Sequence, residues 1–135
     1  FPGGHWEEHD VDLLATAVRE TREEVGLELA RDARLIGVLR EQRAAARGRI
    51  LPMTITPFVF HLLAAPVITL GDEAAGSFWL PLGEAASGAL DGTYEYRLGP
   101  VPLRFPCWRF EGRVVWGLTY QMLRGLLETA ARVEA

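Results

Sequence analysis

The stretch Arg19-Glu20-Thr21-Arg22-Glu23-Glu24-Val25-Gly26-Leu27, preceded by Phe1-Pro2-Gly3-Gly4, constrains this chain more than any other feature. The apolar spacing over residues 11 to 25 predicts a helix, on which Glu20, Glu23 and Glu24 stand at i, i+3 and i+4 and leave one face together. Like charges at that spacing cost an isolated helix about 0.2–0.5 kcal/mol per pair, which a solvated acidic face tolerates. A hard cation gives the cluster a second account. Magnesium takes oxygen ligands in near-octahedral geometry and is usually held by one or two carboxylates, with substrate phosphates completing the shell. Gly3 and Gly4 permit the tight turn and close backbone approach that such a site needs.

Within the expected helix, Asp10 is read as the N-cap and Asp12 as a favourable acid in the first turn. Leu13, Leu14, Ala17, Val18, Thr21 and Val25 form the stripe expected to be buried, and Gly26 ends the helix as a left-handed C′ residue. Arg19 and Glu23 are four apart and are expected to pair, while Arg22 faces solvent.

Downstream, residues 33–42 and 50–63 read as strands of a hairpin around an arginine-rich connection, with Pro52 and Pro57 limiting regular pairing. A short strand is expected over 77–82, a helical turn over 81–87, strands over 94–98 and 102–116, and an amphipathic helix over 118–133. Helices alternating with strands favour an α/β fold with a mixed sheet covered by helices. No repeat or linker splits the 135 residues, so one domain is expected, and 49% hydrophobic content can furnish its core.

A net charge of −4 with both signs interspersed argues against a general electrostatic grip on nucleic acid and suits local, cation-assisted capture of small anions. The single cysteine, Cys107, excludes an intrachain disulfide and reads as a packed thiol in a reducing compartment. No apolar run reaches the length of a membrane span, so no membrane partner and a cytoplasmic location are expected.

The run from Arg19 to Gly26 resembles the Arg-Glu-x-x-Glu-Glu-x-Gly helix of the Nudix hydrolases, matching every one of those positions. The general Nudix motif has a glutamate eight residues before its arginine, where this chain has Val11, and its glycine lies one residue closer than Gly4. The coenzyme A diphosphatase branch accounts for both departures. It looks like Phe-Pro-Gly-Gly-x-x-Asp-x-x-Asp, a short spacer, then Thr-Ala-x-Arg-Glu-x-x-Glu-Glu-x-Gly. Phe1, Pro2, Gly3, Gly4, Asp10, Thr16, Ala17, Arg19, Glu20, Glu23, Glu24 and Gly26 fall in that register, with Glu7 in place of the first aspartate.

The resemblance implies a Nudix-type α/β/α sandwich with a mixed sheet between helices, its upstream strands missing ahead of Phe1. It implies hydrolysis of a phosphoanhydride in a nucleoside-diphosphate-linked small molecule with Mg2+ or Mn2+. Coenzyme A or an acyl-CoA is the substrate favoured, giving 3′,5′-ADP and a phosphopantetheine species; ADP-ribose, a dinucleotide, or a non-catalytic binding module are the alternatives. By resemblance Glu20 and Glu24 are principal metal ligands, Glu23 is a third ligand or the partner of Arg19, and the Gly4 carbonyl completes the site beside Gly3. Glu20 and Glu73, the latter in the Gly71-Asp72-Glu73 loop, are the candidates for the base. Nudix proteins are often dimers, so the resemblance also admits a homodimer.

Other residues carry weaker signals. Arg40, Arg43, Arg47 and Arg49 could meet phosphate, yet such a cluster is more often a solvated hairpin. His5 and His9 lack the spacing of a zinc site and read as loop residues. Phe78, Trp79, Trp108, Phe110 and Trp116 read as packing aromatics, with adenine stacking the minority account. Cys107 has no base near it in the sequence and is not taken as a nucleophile.

Overall fold

A computed structural model describes residues 1–46 and 49–134. The helices are α1 (Leu13–Val25), α2 (Leu29–Asp32), α3 (Leu82–Ala86) and α4 (Gly117–Glu134). The strands are β1 (Ala33–Val38), β2 (Gln42–Ala46), β3 (Arg49–Ile55), β4 (Phe58–Leu62), β5 (Asp91–Leu98), β6 (Val101–Phe110) and β7 (Arg113–Trp116). Every ladder among the described residues is antiparallel: β1 with β4, β2 with β3, and β5 with β6 and then β7. The α/β class expected from the alternation is therefore what forms. Two compact units are distinguishable, Phe1–Val38 with Thr56–Phe78, and Leu39–Ile55 with Trp79–Ala135.

In the first unit α1 begins two residues inside the expected span, and its cap is Asp12, not Asp10. The Asp12 side chain accepts from Ala15 N–H at 2.7 Å, satisfying one of the amides that the first turn leaves without a helical partner. Asp10 is instead buried, for a reason that belongs to the site. The stripe also differs at its start: Leu13 is exposed, while Thr16 is the fully buried residue of the helix. At the other end Gly26 takes φ 71° and its N–H donates to the Arg22 carbonyl at 3.0 Å, the left-handed termination expected. Arg22 is exposed, as expected.

The hairpin expected over 33–63 resolves into two pairs nested in sequence, β1–β4 in the first unit and β2–β3 in the second. The interruption at Pro57 and the slip of the β2–β3 register, which leaves residues 51–53 opposite Ala44, fall at the two prolines. Each proline lacks the N–H that a continuous ladder requires.

The second unit holds the aromatic core. Trp108 on β6 is 1% exposed and packs with Val115, Ala85, Leu90 and Tyr120 of α4, its ring 4.8 Å from that of Tyr120. Its indole N–H donates to the Asp91 carboxylate at 3.1 Å, which gives the polar edge of a buried tryptophan its partner. Trp116 stacks obliquely with Tyr94, Tyr96 and Phe105, and Cys107 is buried, so the packed thiol and most of the packing aromatics are where their residue types suggest. The expected strand over 77–82 does not form. That segment joins no ladder among the described residues, and Phe78 and Trp79 are exposed at 41% and 64%.

Burial decides what these tryptophans contribute. Trp108→Ala should lower stability by about 3–5 kcal/mol, whereas Trp79→Ala should stay within about 0.5 kcal/mol of the parent. Equilibrium denaturation of both variants would check the contrast, and equal losses would contradict it.

Candidate functional site

Arg19 of α1 is surrounded by acceptors. Its Nε donates to Asp10 Oδ1 at 3.1 Å and its Nη2 to Asp10 Oδ2 at 2.9 Å, a two-pronged match between planar groups. Nη2 also donates to the His5 carbonyl at 3.1 Å, while Nη1 donates to Glu20 Oε1 at 2.9 Å and Glu23 Oε2 at 3.3 Å. The expected i,i+4 pair of Arg19 and Glu23 is thus present, as one prong of a larger fork.

Asp10 can be buried because its oxygens are fully engaged. Besides Arg19 it accepts from Thr16 Oγ1 at 2.9 Å and from Glu7 N–H at 3.0 Å. The backbone closes around it, with Asp10 N–H donating to the Glu7 carbonyl at 2.9 Å and the Trp6 indole N–H to the Asp10 carbonyl at 2.9 Å. The Arg19 hydrogen bonds hold the Asp10 carboxyl well below the usual carboxylate range despite burial, which acts in the opposite direction. The same contact raises the Arg19 guanidinium further above its ordinary value. Asp10 thus pairs with Arg19, and the helix cap expected of it falls to Asp12. The available signal was Thr16, a polar residue amid apolar ones and one helical turn before Arg19.

The glutamates meet the amino-terminal turn. Gly3 N–H donates to Glu24 Oε1 at 3.3 Å, and Gly4 lies so close to Glu20 that a Cβ there would run into the Glu20 carboxylate. A side chain at position 4 would therefore displace the Glu20 carboxylate from its present place. Glu20, with its side chain 15% exposed, and Glu24 both reach the turn, whereas the Glu23 side chain is 52% exposed and turned to Arg19. Among the described residues no three Asp, Glu, His or Cys side chains converge as a preformed chelate. Two carboxylates beside a glycine backbone nevertheless form an oxygen-only donor set of the kind a small hard cation takes, and Gly4 keeps open the space that a side chain would fill. Arg19 lies within 4 Å of carboxylate oxygens on Glu7, Asp10, Glu20 and Glu23, so negative charge outnumbers positive here.

Glu73 is exposed in the turn after Gly71, and Gly71 N–H donates to the Glu24 carbonyl at 2.9 Å. The loop carrying Glu73 is thus tied to the helix end carrying Glu24. Val11, at the position where the general motif has glutamate, is 91% exposed and takes no part in the network. His5 and His9 are exposed loop residues; His5 offers its carbonyl to Arg19, and His9 approaches Glu7 and Asp10 at 3.6 and 3.9 Å. Arg40, Arg43 and Arg49 are exposed in the second unit, and Arg47 lies outside the described residues.

These features agree with what the chain is similar to. A family model for the NUDIX domain matches residues 1–98. A Citrobacter koseri protein named Uncharacterized Nudix hydrolase NudL is 33% identical over 128 residues, covering 93% of this chain and 63% of the relative. Proteins of the same name from Yersinia pestis (strain Pestoides F) and Yersinia pseudotuberculosis (serotype O:1b) are each 30% identical over 136 residues, covering 95% of this chain and 62% of the relative. The chain therefore spans under two thirds of the length of these curated relatives. With the glycine turn, the Arg19 fork and the acidic face of α1 all falling inside the matched residues, the chain belongs to the Nudix family.

Proposed function

We propose that this chain carries the hydrolytic site of a Nudix enzyme that cleaves a phosphoanhydride in a nucleoside-diphosphate-linked substrate, with coenzyme A or an acyl-CoA as the leading substrate. The observation that supports the reading is the approach of Glu20 and Glu24 to the Gly3-Gly4 turn. Glu20, Glu24 and the Gly4 carbonyl would hold Mg2+ or Mn2+, which when bound supplies charge neutralisation for phosphate oxygens and a more acidic water. Glu23 and Asp10 orient Arg19, and Arg19 in turn fixes the Glu20 carboxylate. The base is Glu20 or Glu73. Family matching over residues 1–98, which draw on both units, supports treating the chain as one Nudix domain. Coenzyme A is favoured by the register of Phe1, Pro2, Gly3, Gly4, Asp10 and Thr16. On this reading a small soluble nucleotide is the partner and the cytoplasm the working compartment. No helix among the described residues is long and apolar enough to cross a membrane.

The direct test is chromatography of coenzyme A, ADP-ribose, NADH and a dinucleoside polyphosphate after incubation with Mg2+. Cleavage of coenzyme A in preference to the others is expected, and cleavage of ADP-ribose alone would replace the substrate while keeping the chemistry. Glu24→Gln keeps the side-chain shape but removes the charge. It should cut turnover ~100-fold or more with little change in melting temperature, because a ligand supplies several kcal/mol of charge stabilisation only in the loaded site. Unchanged turnover would remove Glu24 from the site.

Asp10 gives a prediction in pH. Its carboxyl is depressed below the unfolded value of 3.8, so its stabilising contribution is complete above that value and is lost as pH falls toward the folded value. The melting-temperature gap between the parent and Asp10→Asn should be constant from neutrality to about pH 5 and shrink in more acid solution. A gap independent of pH down to the acid limit would contradict the pairing.

A further inference from the structure

The geometry points to Gly71 as a positioning residue that holds the acidic end of α1, and the loop acid Glu73, in working order. The inference rests on the hydrolytic reading above. A helix leaves its last carbonyls without intrahelical donors, and here two of them are met by one extended segment. Thr69 N–H donates to the Val25 carbonyl at 3.0 Å and Gly71 N–H to the Glu24 carbonyl at 2.9 Å. The two donors, on alternate residues, pin residues 69–71 against the end of α1.

Such an approach leaves no room for side chains. A Cβ on Gly71 would run into the carbonyl oxygen of Glu23, with the Glu24 Cα 3.4 Å away. At the same approach, a Cβ on Gly26 would stand 3.0 Å from the Thr69 Cβ. Gly26 also needs its positive φ to end the helix, but Gly71 carries no such conformational demand. Its lack of a side chain serves only the approach. The obstructing atoms are backbone atoms of Glu23 and Glu24, so a methyl group at 71 cannot be accommodated by a rotamer change. Either the segment lifts away with the 72–73 turn, or the last turn of α1 shifts and takes the two carboxylates with it. Ala74 N–H donates to the Gly71 carbonyl at 3.1 Å, so the turn bearing Glu73 moves with Gly71 as a unit.

Displacement of this kind acts on geometry, and a misplacement near 1 Å is enough to cost about 100-fold in rate. Gly71→Ala should therefore lower kcat by roughly 10- to 100-fold and raise the Mg2+ concentration for half-maximal rate, with substrate KM altered less than about threefold. Gly76→Ala, in the same connecting segment, is the control: its added methyl meets nothing within 4 Å, and kcat and Mg2+ dependence should match the parent. A Gly71→Ala enzyme with parental kcat and Mg2+ dependence overturns the inference and leaves the hydrolytic reading standing.

Hydrogen–deuterium exchange of the unsubstituted chain supplies a readout that needs neither turnover nor a folded variant. Protected amides at Thr69 and Gly71 support the clamp; free exchange at either amide overturns it. Absence of Mg2+-dependent hydrolysis in the parent, with those amides protected, would refute the hydrolytic reading and with it the positioning role assigned to Gly71.

Discussion

The site is built around one guanidinium. Arg19 can be held by four side-chain and backbone partners at once because Asp10, buried and accepting from Thr16 and the Glu7 amide, fixes the plane of the fork from behind. A rigid planar donor aimed in this way leaves Nη1 free to set Glu20 and Glu23. Lysine, a flexible point charge, could neutralise one of these carboxylates but could not hold their relative directions. The arrangement also lessens the repulsion within so acidic a helix face. The buried pair accounts for one carboxylate, Arg19 partly screens two more, and the remaining excess of negative charge is directed at the glycine turn.

Glycine provides the second constraint, through three close approaches. At Gly4 the absent side chain admits the Glu20 carboxylate, at Gly26 it admits Thr69, and at Gly71 it admits the Glu23 carbonyl. Each contact brings backbone to one end or side of α1, so the helix is registered against the turn before it and the segment after it. The first unit has few fully buried hydrophobic side chains, Leu27 and Leu29 among them, in contrast to the Trp108 cluster of the second. Polar geometry and backbone approach carry the definition of the site, while conventional packing stabilises the β5–β6–β7 sheet with α4.

Legibility from the sequence follows the range of the interaction. Local features were readable: the helix over α1, its glycine stop, the Arg19–Glu23 pair, the turn at Leu82–Ala86, the β5–β7 strands and the closing helix all follow from periodicity or from spacings within one helical turn. Features that join distant parts were not. Asp10 is an ordinary N-cap candidate until Arg19 is seen folding back onto it, and Asp12, with the same capping chemistry two residues on, was free to take that role. Gly71 reads as a turn glycine until the α1 carbonyls are found beneath it. Residues 77–82 have strand composition, but a strand exists only with a hydrogen-bonding neighbour, and β propensity measures fit to such a surface. The metal-binding role of the acidic face rested on resemblance to a motif, because composition alone also describes a solvated helix.

An oxygen set of two carboxylates and a backbone carbonyl also has a thermodynamic consequence under the hydrolytic reading. Magnesium dehydrates reluctantly and commonly retains waters, so such a set binds it weakly until substrate phosphates replace some of them. Cation and diphosphate would then each raise the affinity for the other by the same factor, since coupling between two bound species is reciprocal. A third strong carboxylate would tighten the cation in the free protein and reduce that coupling. Glu20 and Glu24 are the carboxylates that meet the glycine turn, while Glu23 is turned to Arg19 and half exposed, which on that reading favours a cation that arrives with its substrate over one that is permanently held.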